Sequence, residues 1–335
     1  MSNGSVIDDV LDLLHSSKRA VVLSHTSPDA DAYGSSCGLA AALKQLGISV
    51  VVYNESGFVP RYAVIPGAKD VSATIPPPLA EDDVLVVCDC GALERVGELL
   101  VPYVRAAKKV INIDHHNANT NFGQINYVVD GASSTSELVF NLLKEAERRL
   151  SRNDIITSDV AACLLAGIIG DTGSFRYQST SAKTFLAAHD LMERGARPDK
   201  LTQELFANHS LPAIKLQAEA MININILNNG AFAEVTVTQE MLKRLGAELL
   251  DADSLAERAR DIEGVNVSVL FKQDVDMWRV SLRSRLGAVD VAAIAQSFGG
   301  GGHKPAAAFR WRKGLDLLKS ELRDKVSNAL STGHA

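Results

Sequence analysis

Four groups of residues could do chemistry together: His25, Asp29 and Asp31; Asp89; the triplet Asp114-His115-His116; and Asp171. Each of the first three follows an apolar run, Ala20–Leu23, Val84–Val87 and Val110–Ile113 respectively. Such runs read as buried strands, and in open α/β sheets ligands bind at the carboxyl ends of strands. Asp171 closes a stretch, Ser158 to Ile169, that is apolar almost all round and reads as a buried helix. A parallel sheet would bring these ends to one edge, gathering five carboxylates and three imidazoles. Like charges that close drive pKa values apart or destabilise the fold. Divalent metal ions are the simplest compensation. Mixed imidazole and carboxylate donors suit manganese, iron or zinc better than calcium, with magnesium an alternative. Two ions about 3.5–4 Å apart and sharing a carboxylate would suit in-line displacement at phosphorus. Taken singly, each piece has a plainer reading as a solvated loop, a helix cap or a turn. Their joint order on these elements is what argues for a site.

The elements that must position them follow from periodicity. Residues 5–17 read as an amphipathic helix, 34–46 as a helix closed by Gly47, and 48–53 as a further strand. Helices are expected over 133–150 and 158–169. Continuous apolar strands separated by helices indicate an α/β fold with a parallel sheet covered by helices on both faces. Helices across 182–228, with Pro198 and Pro212 near their starts, lead to a stop at Asn228-Asn229-Gly230. Beyond it, 232–237, 265–271 and 278–283 read as strands. Ser254 to Glu257 reads as a capping box, and Asp290 as the cap of a helix ending in Gly299-Gly300-Gly301-Gly302-His303. The expected organisation is a metal-binding domain over 1–185, a helical linker over 186–229 and a smaller α/β domain over 230–335.

Composition narrows the function. The 335 residues are 46% hydrophobic and 22% charged, an ordinary globular balance, and contain no apolar run long enough to span a membrane. The N-terminus has neither the basic start nor the apolar core of a signal peptide. The four cysteines, Cys37, Cys88, Cys90 and Cys163, lack zinc-like pairing; they read as small core residues in a reducing, cytoplasmic setting. A net charge of −6 argues against long nucleic acid, which wants a basic face. A phosphorylated ligand would need local cations, and metals would supply them.

The four segments, in this order, resemble the DHH phosphoesterase superfamily, whose triplet stands here as Asp114-His115-His116. The run Phe298 to His303 resembles the glycine-rich signature of the DHHA1 domain. Within the superfamily, the short two-domain form is similar to the oligoribonuclease and pAp phosphatase (nanoRNase) branch. The resemblance implies two divalent ions, Mn2+ or Mg2+, and hydroxide attack on phosphorus. His25, Asp29 and Asp89 would hold one ion; Asp31, Asp89, His115 and Asp171 would hold the other, with Asp89 shared. His116 would act on the scissile phosphate or the leaving oxygen, and Asp114 would orient the imidazoles. Substrates would be short RNA or DNA oligonucleotides, dinucleotides or pAp; the branch also allows a homodimer. The alternatives are a cyclic-dinucleotide phosphodiesterase, an inorganic pyrophosphatase and a nucleotide sensor that does not cleave.

Ser134 reads as a helix N-cap, and a helix N-terminus with free N–H groups also suits a phosphate, as the resemblance suggests. Gly301 and Gly302 would let a nucleotide approach the backbone closely. Arg283 and Arg285 share a strand face and could hold a terminal phosphate beside His303. Family members often carry glycine where Ala308 stands and a non-proline where Pro305 stands, which bears on substrate choice and leaves the metal ligands untouched.

Overall fold

The computed structural model describes residues 3–285 and 288–332. The chain divides into two compact units, Met1–Asn208 and His209–Ala335. The first holds strands β1 (Arg19–Leu23), β2 (Ser49–Tyr53), β3 (Asp83–Cys88), β4 (Val110–Asp114) and β5 (Ile125–Val128). They form one sheet in the order β2-β1-β3-β4-β5, parallel throughout. Its helices are α1 (Asn3–His15), α2 (Ala30–Gln45), α3 (Val101–Ala106), α4 (Thr135–Leu150), α5 (Ser158–Asp171), α6 (Ala182–Glu193) and α7 (Pro198–Thr202). Alternation sends Ala20 and Val22 of β1 into one core, and Val21 and Leu23 into the other. The larger core is shared with α1, α2, α4 and α5; the smaller is closed by Val96, Leu100 and Val104 around α3. Cys88 and Cys90 fall in opposite cores for the same reason. Both faces of the sheet are covered, as the continuous apolar strands require.

Helix α2 begins earlier than periodicity suggests, at an Asp29 N-cap whose carboxylate accepts from the N–H groups of Asp31 and Ala32. Asp31 is thereby fixed in the first helical turn. Helices α2 and α5 pack almost backbone to backbone. A Cβ built on Gly34 would lie 2.6 Å from the Cys163 carbonyl, and one on Gly170 2.6 Å from Ala30 Cβ. On Gly167 it would lie 2.0 Å from Ser136 Oγ and 2.6 Å from Asp31 Oδ1. Gly167→Ala must therefore push α5 away from α2 and α4. The expected loss is about 1–3 kcal/mol of stability, read as a lower urea midpoint with an unchanged slope.

The second unit opens with α8 (Leu211–Ile222) and holds β6 (Asn225–Leu227), β7 (Phe232–Val237), α9 (Gln239–Leu245), α10 (Leu255–Arg260), β8 (Val267–Gln273), β9 (Trp278–Ser284), α11 (Val291–Gln296), β10 (Gly301–His303), β11 (Ala306–Trp311) and α12 (Leu315–Thr332). Its six strands run β10-β11-β9-β8-β7-β6, and only β7 and β8 are parallel neighbours. Leu318, Leu322 and Val326 of α12 close one core, while Leu216, Leu242 and Leu255 from α8, α9 and α10 close the other. The helices expected as a linker divide between the units. Ala187, Leu191, Leu201 and Leu205 join the first unit's core, whereas Leu216 and Ala220 join the second's. The Ser254 capping box does not form. A short turn, Leu249–Ala252, leads directly into α10, so Ser254 is already helical and its hydroxyl has no partner. Asp290 does cap α11, accepting from the Ala293 N–H at 3.0 Å.

Candidate metal centre

Strands β1, β3 and β4 are neighbours, so the residues at their ends converge. His25, two residues beyond β1, is 3% exposed, and its Nδ1 lies 2.8 Å from the Thr26 carbonyl. That contact turns Nε2 toward Asp89 Oδ2 at 3.4 Å and Asp29 Oδ2 at 3.8 Å. His115, just past β4, has Nδ1 3.3 Å from the Ala132 carbonyl; its Nε2 lies 3.1 Å from Asp171 Oδ2 and 3.7 Å from Asp89 Oδ1. The donor atoms of His25, Asp29 and Asp89 lie within 4.8 Å of one another, and so do those of Asp31, Asp89 and His115. Asp89 belongs to both trios. Asp171, at the end of α5, joins the second through His115.

Asp89 has a left-handed backbone (φ 56°) and its N–H donates to the Ile113 carbonyl at 2.9 Å. An aspartate held there is a strained position, at about 1–3 kcal/mol, kept by its surroundings. Asp114 is fully buried and forms a further trio with Asp89 and His116, whose donor atoms also lie within 4.8 Å of one another. Its Oδ1 receives His116 Nδ1 at 2.7 Å, and its Oδ2 receives Asn119 Nδ2 at 2.7 Å. Asn119 also donates to Asn112 Oδ1, and Asn112 donates to the carbonyls of Val87 and Cys90. The acid thus orients His116, and the amides tie that pair to the end of β3. Asn119 does not stand out in the sequence, because a polar residue in a loop carries no sign of its tertiary partner, whereas Asn112 is a buried polar residue within β4.

The charges are severely coupled. Burial and the Asp89 charge push Asp31 up to about 7, and burial together with Asp31, Asp29 and Asp89 holds Asp171 well above the usual carboxylate range. Burial opposes protonation of His25, yet the flanking Asp29 and Asp89 raise it to about 10. Asp89 resists burial and is held well below its ordinary value by the three imidazoles. Burial likewise opposes the raised values of His115 and His116, which Asp89, Asp31 and Asp114 sustain. Among the described residues no lysine or arginine pairs with any of the five acids. Even with all three imidazoles protonated, the acids outnumber them. This donor set fits divalent metal ions, and the buried acid and histidine clusters could hold them.

Ser134 is fully buried and caps α4, its Oγ accepting from the Glu137 N–H at 3.1 Å. The next two amides are already occupied: Thr135 N–H donates to Asp31 Oδ2 at 2.7 Å, and Ser136 N–H to Asp31 Oδ1 at 2.9 Å. The helix end expected to receive a phosphate is filled by a carboxylate of the chain itself. In the second unit, register places His303 opposite Ala306 and Ala306 opposite Arg283, so His303 and Arg283 share one row of one sheet face. Arg283 donates to Glu257 Oε1 at 2.6 Å. Arg285 is committed elsewhere, donating to the carbonyls of Val265, Arg260 and Ile262 past the end of α10. That makes it a structural clamp. Gly302 (φ 145°) lies against the Ala306 carbonyl, where a Cβ would stand 2.5 Å away, whereas a Cβ on Gly301 would meet nothing within 4 Å. Gly302 is therefore required by strand packing, and Gly301 faces open space.

Residues 19–168 match the model of the DHH family, N-terminal domain, and residues 233–332 match the DHHA1 domain. The chain is 30% identical over 297 residues to the bifunctional oligoribonuclease and PAP phosphatase NrnA of Bacillus subtilis, an alignment covering 88% of this chain and 90% of the relative. It is 33% identical over 304 residues to the protein of the same name from Thermus thermophilus, covering 88% and 85%. Among solved structures, an exopolyphosphatase-related protein from Bacteroides fragilis superposes with a TM-score of 0.86 at 26% identity, covering 98% of this chain and 96% of that one. With the triplet, the converging acids and the glycine-rich strand in these positions, this chain belongs to the DHH family of phosphoesterases and carries a DHHA1 domain after its parallel sheet.

Proposed function

We infer that this phosphoesterase hydrolyses short oligonucleotides, dinucleotides and nucleoside 3′,5′-bisphosphates such as pAp, using two divalent ions, Mn2+ or Mg2+. The observation that carries the reading is Asp89, one buried carboxylate common to three trios of metal-type donors, two of which carry the ligand sets below. The names of the two NrnA relatives supply the substrate class. His25, Asp29 and Asp89 would hold one ion; Asp31, Asp89, His115 and Asp171 would hold the other. Bound there, the ions would lower the pKa of a water and neutralise phosphate oxygens.

The chain's own residues do the rest. With Nδ1 fixed by Asp114, His116 can exchange a proton only at Nε2, which suits it to protonate the leaving oxygen. Burial opposes its protonation, but the hydrogen bond to Asp114 and the Asp89 charge raise its pKa above the ordinary imidazole value. In the DHHA1 domain, His303 and Arg283, sharing a row beside the open backbone of Gly301, would hold a terminal phosphate. Arg283→Ala should raise KM about tenfold with little change in kcat. Arg285→Ala should instead cost about 1–3 kcal/mol of stability, because three carbonyls lose their donor. Steady-state kinetics beside thermal melting separates the two. The family resemblance extends the reading to a homodimer, checked by sedimentation, and four buried, unbridged cysteines favour a cytoplasmic setting.

The deciding assay incubates the protein with Mn2+ and, separately, a 5′-labelled dinucleotide, pAp and pyrophosphate. Release of mononucleotide and of phosphate from pAp is expected. Cleavage of pyrophosphate alone, or binding without cleavage, would overturn the reading.

A further inference from the structure

Both carboxylates that must be held rigid in the centre touch one residue outside the donor set. Thr135 is fully buried at the first position of α4, a helix of 16 residues. Its N–H donates to Asp31 Oδ2 at 2.7 Å and its Oγ1 to Asp89 Oδ1 at 3.1 Å. An ionised carboxylate only accepts, so the hydroxyl must be the donor. We propose that Thr135 is a positioning residue whose hydroxyl sets the plane of the shared Asp89 carboxylate while its amide fixes Asp31, so that one helix terminus aligns the acids of both trios.

Asp89 needs such a hold. Its Oδ2 faces His25, while its Oδ1 looks toward His115 and His116 at 3.7 and 3.8 Å, beyond hydrogen-bond length. Among the described residues the short side-chain contact to Oδ1 is the one from Thr135. Without it the carboxylate can rotate about its last bond and lose the orientation that serves two ions at once. Asp31 is less dependent on any one side chain, because backbone amides hold both of its oxygens. The hydroxyl and the amide therefore do separable work, and Thr135→Val removes the first while leaving the second.

This inference rests on the metal reading of the centre, and its test keeps the two apart. Mn2+ is titrated into the metal-free full chain, with free ion followed by electron paramagnetic resonance. Thr135→Val, which keeps the shape and the amide, is expected to weaken Mn2+ binding about 10–100-fold. Metal-free melting should stay near the parent, and Thr135→Ser should restore affinity. Thr135→Ala removes the same hydroxyl without placing a second methyl beside Asp89, and is read in the same titration should the valine variant fail to fold. Hydroxyl-free variants that bind Mn2+ as tightly as the parent would overturn the proposal. A parent chain that binds no Mn2+ would overturn the proposal and the metal reading together.

Discussion

Asp89→Asn lowers turnover by at least about a thousandfold while leaving the fold intact. The substitution keeps the size of the side chain and suits the backbone, since asparagine is among the residues that best tolerate the left-handed region occupied here. What changes is charge and one oxygen. The amide brings an N–H₂ to a position that faces either His25 or the His115 side, and removes the anion common to both trios. Losing several kcal/mol of charge stabilisation at a reacting phosphate corresponds to about 10³-fold in rate. Steady-state hydrolysis of pAp at saturating Mn2+, with circular dichroism to confirm folding, measures it. A variant at the parent's rate would eliminate the shared carboxylate from the reaction. A second readout follows from electrostatics. Asp89 helps hold His25 at about 10, so the asparagine variant should titrate that imidazole at lower pH in NMR spectra.

Removing divalent ions by chelation should reduce activity to background, and added Mn2+ should restore it. Stability should respond as well, with a definite sign against pH. Asp31 is raised to about 7 in the metal-free fold, so between its ordinary value and 7 the folded state holds a proton that the unfolded state has released. His25, raised to about 10, does the same from its ordinary 6.5 upward. Both contributions are full at low pH and drain away as pH rises, so the metal-free protein should lose stability across pH 5 to 9. Metal binding requires the same groups to be deprotonated and therefore strengthens over that range. The rise in Tm on adding Mn2+ should accordingly be small at pH 5 and large at pH 8. Differential scanning calorimetry at both pH values checks this; an increment independent of pH would show that these groups do not bind the ion.

Much of this architecture was legible because it rests on local pattern. β1, β3 and β4 are largely apolar runs, interrupted in β4 by Asn112, and their ends are where ligands must lie. β5 escaped notice because Ile125-Asn126-Tyr127-Val128 is a short, half-exposed edge strand with weak signal, and β6 and β10 have three residues each. Asp29 illustrates a residue with two true readings, since one oxygen caps α2 while the other faces His25. The supporting shell was not readable. Asn119 and Thr135 matter through partners distant in sequence or hidden in a loop, and no periodicity encodes that. Arg285 shows the converse error: its charge suggested a phosphate, but three orphan carbonyls beyond α10 had first claim on it.

The seam between α2 and α5 governs how this chain can diverge. Where the two helices touch, at Gly34, Gly167 and Gly170, there is no room for an added carbon, and the aspartates at the adjoining helix ends inherit their spacing from that contact. A saturation mutagenesis map should therefore be inverted relative to most domains, with the smallest side chains among the least replaceable. Homologues would be free to vary the bulky packing residues around the seam while the bare stripe itself stays fixed.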